Sequence, residues 1–317
     1  MKTAKTGCIV LAVLFLLPLV VVCVAALFNG RVQCQTDWHQ SRYSNDPGET
    51  PEDCFELRIM TYNIQDLWVV GRNRPARMRA LAEEIAELDP DIVGFQEAFI
   101  HKERAILIEG LKQSSRLNHF HYFRSATVGS GLLVASAFPI REAVFHRYTV
   151  SGNWFKLWEG DWWAGKGTGL ARVEHPVGGI IDFYDTHAQA GYGNLRYDEV
   201  RKQQMTELAQ FIKDTNATTR PAFLVGDMNC SVDEKDCQAC IEGANLLRIM
   251  NVPSHIDHIF ARQSPHIEFR VLNSLEITER KGLCLSDHNG YLTEVRIIPI
   301  HPEGHDKEKR NEVLPGV

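Results

Sequence analysis

The sequence predicts a layered α/β (α+β) domain. Strand-like runs outnumber the helical stretches and are interleaved with them, the helical stretches each carry one apolar stripe, and the polar side chains of interest gather where strand-like runs end. With 317 residues the chain fits one domain of about 250–260 residues once its ends are trimmed. Its 44% hydrophobic and 23% charged residues are ordinary for a globular protein. The net charge of −6 offers no basic footprint, so nucleic acid is not an expected partner. A bound metal ion supplies positive charge locally, so this balance disfavours a nuclease without excluding one. No obligate protein partner is inferred.

Taken in order, residues 1–30 read as a targeting segment. Lys2 and Lys5 precede an uncharged apolar run, Cys8 to Phe28, interrupted only by Pro18. As a signal peptide it offers Cys23, Ala25 and Ala26 for cleavage; as an anchor its length suffices to span a bilayer. Either way the lysines stay cytoplasmic and the rest is exported, giving a secreted protein or an N-terminally anchored one with its domain outside. Six cysteines follow (Cys34, Cys54, Cys230, Cys237, Cys240, Cys284), an even number that in an exported chain points to disulfides. Asn216-Ala217-Thr218 is a glycosylation sequon. Residues 31–55, with Asp46-Pro47-Gly48 and Thr50-Pro51-Glu52, read as a linker, 56–300 as the folded domain, and the charged 301–317 as a disordered tail.

Within the domain, Glu56 to Ile64 alternates, with Leu57, Ile59, Thr61 and Asn63 on one side, and predicts a strand. Met78, Leu81, Ile85 and Leu88 predict a helix over 77–88, closed by Asp89-Pro90. A strand over 91–97 exits at Glu97, and 100–113 is helical. Strands follow at 121–126, 131–138, 143–150, 169–175 and 179–187. A helix over 195–215 presents Val200, Met205, Leu208, Phe211 and Ile212, and strands resume at 223–228, 255–262, 267–277 and 290–298.

Polar residues mark the strand ends. Asn63, Glu97, His187, Asp227 and Asn229 lie at or just past such ends; Asp257 lies within a run, and Asp287 and His288 precede the last one. Strand ends and their loops meet at one rim of a layered domain, where active sites collect. The residue types agree: hard oxygen ligands for Mg²⁺, with Mn²⁺ as substitute, and two imidazoles for proton transfer. Phe223-Leu224-Val225-Gly226-Asp227-Met228-Asn229 is the central stretch, a buried strand whose exit aims a carboxylate and a carboxamide the same way.

Thr61-Tyr62-Asn63-Ile64, Gly94-Phe95-Gln96-Glu97, Asp185-Thr186-His187, Gly226-Asp227-Met228-Asn229, Ile256-Asp257-His258-Ile259 and Ser286-Asp287-His288 resemble, in order and spacing, the serial motifs of the endonuclease/exonuclease/phosphatase superfamily. The resemblance implies a four-layer sandwich of two mostly antiparallel sheets flanked by helices. By position, Glu97 resembles the principal Mg²⁺ ligand, with Asn63 beside it and Asp287 near the metal. His288 resembles the general base, paired with Asp257; Asp227 and Asn229 resemble the groups that orient water and phosphate. His187 resembles the second imidazole, which holds a phosphoryl oxygen.

The middle of the chain narrows the resemblance to neutral sphingomyelinases, through His121-Tyr122-Phe123-Arg124-Ser125, Gly129 to Val134, Phe138-Pro139-Ile140 and Gly160 to Leu170. It implies a phospholipase C-type hydrolysis of sphingomyelin to ceramide and phosphocholine, with Asp161 and Lys166 as the acid/lysine pair on the substrate-facing loop. Trp154, Phe155, Trp158, Trp162 and Trp163 crowd into ten residues among glycines, which predicts a loop that rests on the membrane surface. Two departures stand out: Ala188 replaces a larger apolar residue after the histidine, and the segment from Cys230 to Ser254 is short for the family. A secreted nuclease, a lysophospholipid-specific phospholipase C and an inactive lipid-binding protein are the competing readings.

Overall fold

The computed structural model describes residues 19–25, 27, 41, 43, 48–68, 70–125, 128–153, 156, 160–192 and 197–300. In chain order the elements are β1 (Phe55–Asp66), α1 (Arg74–Leu88), β2 (Ile92–Ala98), α2 (His101–Ser114), β3 (His119–Tyr122), β4 (Leu133–Ser136), β5 (Ile140–Arg147) and the single-turn α3 (Asp161–Ala164). Then come β6 (Gly167–His175), β7 (Gly179–His187), α4 (Asp198–Thr215), β8 (Ala222–Asp227), α5 (Lys235–Ala244), β9 (Leu246–Arg248), β10 (Asp257–Arg262), β11 (Ile267–Ile277), β12 (Glu279–Arg280), β13 (Leu283–Cys284) and β14 (Gly290–Pro299).

Two six-stranded sheets form, in the orders β11-β14-β1-β2-β4-β3 and β5-β6-β7-β8-β10-β9. Three separate cores show how they stack. Leu57, Ile59, Val134, Phe183, Val225 and Ile297 share one core between the sheets. Met60, Tyr62 and Phe95 turn the other way, onto Met78, Leu81 and Leu107 of α1 and α2. Tyr184, Leu224 and Phe260 likewise meet Met205, Leu208 and Cys237 of α4 and α5. Alternate side chains of a strand point to opposite faces, so each sheet is apolar on both sides and the order is helix, sheet, sheet, helix. The four-layer sandwich is borne out. β1 therefore buries both faces along most of its length, which a pattern of one apolar and one solvent face does not anticipate.

Each sheet is antiparallel except for one central parallel pair, β1 with β2 and β7 with β8. A parallel pair brings two strand exits out side by side, so the fold delivers four adjacent exits from two facing sheets. Gly226 makes the β7–β8 pair possible at its exit: with φ +143, a Cβ there would lie 2.0 Å from the Thr186 carbonyl oxygen.

The fold also bears on the remaining expectations. The segment 230–254 contains α5 and the edge strand β9, neither of which the sequence announces. Asn216 is buried; its amide donates to Asp182 (2.8 Å) and its oxygen accepts from Arg262 (2.9 Å), so the sequon is not a surface acceptor. Cys54, Cys230, Cys237, Cys240 and Cys284 are free thiols, the middle three buried in the apolar layer under α5, and no disulfide forms among the described residues. Cys34 lies outside them. Helical residues 19–25 and 27 belong to the apolar N-terminal run, and among the described residues no helix is long and apolar enough to cross a membrane. The tail 301–317 is outside the described residues.

Candidate active site

The exits converge as the topology dictates. His187 of β7 is the register partner of Asp227 of β8, and Asp227 is in turn the partner of Asp257 of β10. Same-row neighbours project from the same face, so one imidazole and two carboxylates stand together. From the facing sheet, Asn63 donates across to Asp227 (3.0 Å). The β1–β2 register shifts immediately after Asn63, and such bulges re-aim side chains beside active sites. Glu97 leaves β2 at φ +59 and Asn229 follows β8 at φ +52. Left-handed backbone at a non-glycine residue costs about 1–3 kcal/mol and survives where surroundings over-determine it. Asn229 shows how: its amide N–H donates to Asp227 Oδ1 (3.0 Å) and its side chain to the Ala188 carbonyl (3.2 Å).

His288 enters from the loop before β14. Its Nδ1 bonds Asp257 Oδ2 at 2.9 Å, and its Nε2 faces Asp227 Oδ2 at 3.8 Å. His187 Nε2 stands 3.3 Å from Asp227 Oδ2 and 4.0 Å from Glu97 Oε1. Seven of the eight strand-end residues are thus joined in one cleft. Asp287 faces outward, its carboxylate accepting from Gln65 (2.5 Å), although its charge still acts on Asp257 and His288.

Burial sets the electrostatics. It pushes the Glu97 carboxyl up to about 7, against the pull of the Lys166 charge and with a further push from Asp227. Burial and then Asp227 push Asp257 up to about 7, and burial raises Asp227 as well. For His288, burial favours the neutral ring, but the hydrogen bond to Asp257 and the charges of Asp227, Asp257 and Asp287 outweigh it and lift the imidazole to about 9. His187 goes the other way: burial, followed by the Lys166 and His288 charges, holds it well below its usual range. Crowded carboxylates with excess oxygen lone pairs fit a hard divalent cation. Asp227, Asp257 and His288 bring ligand atoms within 4.8 Å of one another, and Asp257 Oδ1 is buried without a hydrogen-bond partner.

Asp161 and Lys166 do pair, and they are buried rather than exposed: Lys166 Nζ lies 3.1 Å from Asp161 Oδ1. Trp162 and Trp163 pack edge to face, centroids 5.0 Å apart, and both are half-buried. Trp154, Phe155 and Trp158 lie outside the described residues. A cavity of about 500 Å³ adjoins the cleft, lined on one side by Val21, Val22 and Ala25 of the N-terminal apolar segment and on the other by Glu97, Asp161, Lys166 and the aromatic Trp68, Phe99 and Trp163.

Two residues escape sequence reading. Arg77 of α1 donates to the carbonyls of Ile64 (2.8 Å), Gln65 (2.8 Å) and Leu285 (2.7 Å), tying the β1 exit to the loop that carries His288. Gln189, two residues past His187, donates to Asp161 Oδ2 (2.7 Å) and accepts from the Gly152 N–H (2.8 Å). What marks Arg77 and Gln189 is burial, which is not written in the sequence.

The sequence model of the Endonuclease/Exonuclease/phosphatase family matches residues 60–288. A putative neutral sphingomyelinase of Drosophila melanogaster is 29% identical over 290 residues, 82% of this chain and 65% of that protein. Sphingomyelin phosphodiesterase 2 of Rattus norvegicus is 35% identical over 193 residues, 59% of this chain and 44% of that protein. The chain thus spans less than two thirds of the length of these relatives. Among solved structures, a mutant beta toxin of Staphylococcus aureus with bound magnesium ions superposes with a TM-score of 0.58 at 16% identity, covering 77% of this chain and 99% of the toxin. That likeness shows the shared fold.

Proposed function

The chain belongs to the endonuclease/exonuclease/phosphatase family, and from that premise we propose that it is a Mg²⁺-dependent phosphodiesterase of the phospholipase C type that hydrolyses sphingomyelin to ceramide and phosphocholine. The observation that carries this reading is that His187 and His288 both face Asp227 across one acidic cleft beside an apolar cavity. Similarity to the sphingomyelinases of fly and rat supports the choice of substrate.

Glu97 and Asn63, with Asp227 alongside, would hold Mg²⁺ or Mn²⁺, which supplies withdrawal of charge from the phosphoryl group. The remaining chemistry falls to side chains. Asp257 fixes the His288 ring through Nδ1, leaving Nε2 turned into the cleft to take the proton of the attacking water. The water oxygen bonds phosphorus as the bond from phosphorus to the ceramide oxygen breaks; the departing alkoxide takes a proton from solvent, and the His288 imidazolium returns the proton taken from water to solvent. His187 stays neutral, and an Nε2–H aimed into the cleft donates to a phosphoryl oxygen as its charge grows. Asn229 and Asp227 orient the water and phosphate, and Lys166, held by Asp161, adds a fixed positive charge on the substrate side.

Proton inventory matters here. The bond to Asp257 and the charges of Asp227 and Asp287 favour the protonated His288 ring over its burial. Glu97 and Asp227 would hold a cation whose charge would offset theirs, which would favour the neutral His288 ring that a base requires. A lipid surface as partner of this face is supported by half-buried Trp162 and Trp163, the latter lining the cavity, and the basic N-terminus ahead of the apolar run supports an exported domain. The test is phosphocholine release from sphingomyelin vesicles with Mg²⁺ and with a chelator. Release only with metal supports the reading; full release in chelator removes the metal from it.

A further inference from the structure

We infer that Gln189 is a positioning residue, which sets the substrate-facing Lys166 by clamping both stems of the segment between Gly152 and Asp161. The inference rests on the proposed role of Lys166 at the phosphoryl group.

Gln189 has no exposed surface. Both ends of its carboxamide are used: Oε1 accepts from the Gly152 N–H (2.8 Å), and Nε2 donates to Asp161 Oδ2 (2.7 Å) and, more weakly, to the Ala190 carbonyl (3.3 Å). The Ala190 N–H reaches the same Asp161 oxygen (2.9 Å), which leaves Oδ1 to Lys166 at 3.1 Å. Both Asp161 oxygens are therefore engaged, with a donor from Gln189 and one from Ala190 on one oxygen and the ammonium on the other. One side chain thus ties residues 37 and 28 positions away to the exit of β7.

The clamp is itself anchored to rigid structure. The Gln189 N–H donates to Gln204 Oε1 (2.8 Å) on α4, and Gln204 Nε2 donates to the Val150 carbonyl (2.9 Å), so two buried glutamines hold residues 150 to 152. His187 lies only two residues before Gln189. The same turn of chain that places the imidazole therefore sets where the Lys166 charge stands, and that charge acts on His187, Glu97 and Asp227. A carboxamide suits this post because it is neutral and offers a donor and an acceptor at once; a carboxylate would oppose Asp161, and an apolar side chain would leave Asp161 short of a donor.

Gln189→Met keeps the volume and removes both bonds, which limits the packing penalty. Two readouts separate positioning from general support. By hydrogen exchange, the Gly152 and Ala190 amides should exchange about tenfold faster in the variant, with Tyr184 in the middle of β7 unchanged. In a double-mutant cycle with saturating Mg²⁺ and a soluble sphingomyelin analogue, Gln189→Met should lower kcat/KM about tenfold or more alone, and less than about twofold when Lys166→Ala is already present. Equal loss in both backgrounds, or acceleration spread evenly through β7 and β8, overturns the positioning role, as does unchanged exchange at Gly152. An inactive wild type overturns the proposed function instead, and the exchange measurement then decides on the clamp.

Discussion

Replacing Asp257 by asparagine keeps the size of the side chain and changes what His288 can do. The carboxylate accepts from Nδ1 at 2.9 Å, which fixes the tautomer with a bare Nε2 toward the cleft. An amide in its place donates to Nδ1 and moves the proton to Nε2, where a base is needed. The charge is also lost. His288 is lifted from 6.5 to about 9, against burial, chiefly by its bond to Asp257 with help from Asp227 and Asp287. That rise corresponds to about 3 kcal/mol in favour of the imidazolium that forms as water is deprotonated. Removing the largest favourable contributor should therefore cost about 10²-fold in kcat, and the tautomer change carries the loss toward the 10⁴-fold ceiling for a positioned base. The assay is steady-state hydrolysis of a soluble sphingomyelin analogue in saturating Mg²⁺, with thermal unfolding to confirm the fold. The residual rate should also begin its rise at lower pH, because the imidazole gives up its proton more readily. A variant within about threefold of wild type would refute the assignment of His288 as the base oriented by Asp257.

Further predictions concern the metal and the lipid surface. Glu97 sits at about 7 in the fold against 4.5 in the unfolded chain, so the folded state holds its proton longer; metal-free stability should fall by about 3 kcal/mol as pH rises from 4.5 through 7. His288, raised from 6.5 to about 9, contributes stability that is whole below 6.5 and lost through 9, which runs in the same direction. Thermal unfolding in chelator from pH 5 to 9 should therefore show a falling Tm, with Mg²⁺ restoring it most at high pH; a Tm that climbs with pH in chelator contradicts the buried-acid description. Glu97→Gln should be inactive yet folded, and its Tm in chelator near neutral pH should exceed that of wild type. Changing Trp162 and Trp163 together to alanine should weaken hydrolysis of vesicles about tenfold more than that of a soluble analogue, because interfacial rings contribute membrane contact and not chemistry. Equal loss on both substrates would assign the pair to the fold.

Much of this architecture was legible because its strands end in chemistry. β7 reads to the residue, Gly179 to His187, since an apolar run there stops at a histidine. The layers were harder to read. Met60 and Tyr62 look like the second face of an ordinary alternating strand, and only tertiary packing shows that α1 and α2 cover them. α5 is hard to read because two of its buried positions are cysteines, Cys237 and Cys240, whose thiols here fill an apolar layer. At the site, residue identity and order gave the members, while backbone geometry stayed hidden. Nothing in Gln96-Glu97-Ala98 announces a left-handed glutamate. Gln189 was equally opaque, because its partners come from Gly152 and Asp161, and a hydrogen bond spanning such separations leaves no local pattern. The pair Asp161 and Lys166 was found through resemblance, and its burial shows that it is built into the cleft rather than laid over its surface.

The central claim is that this acidic, two-histidine cleft cleaves a lipid phosphodiester with a divalent cation. It is tested most directly by offering the purified protein sphingomyelin, lysophosphatidylcholine and plasmid DNA in parallel, each with Mg²⁺ and with chelator, and following phosphocholine release and strand scission. The account predicts metal-dependent phosphocholine release from sphingomyelin, abolished by His288→Ala, with DNA left intact. Preferred cleavage of lysophosphatidylcholine would keep the chemistry and change the lipid. Metal-dependent scission of DNA with sphingomyelin untouched would contradict the account.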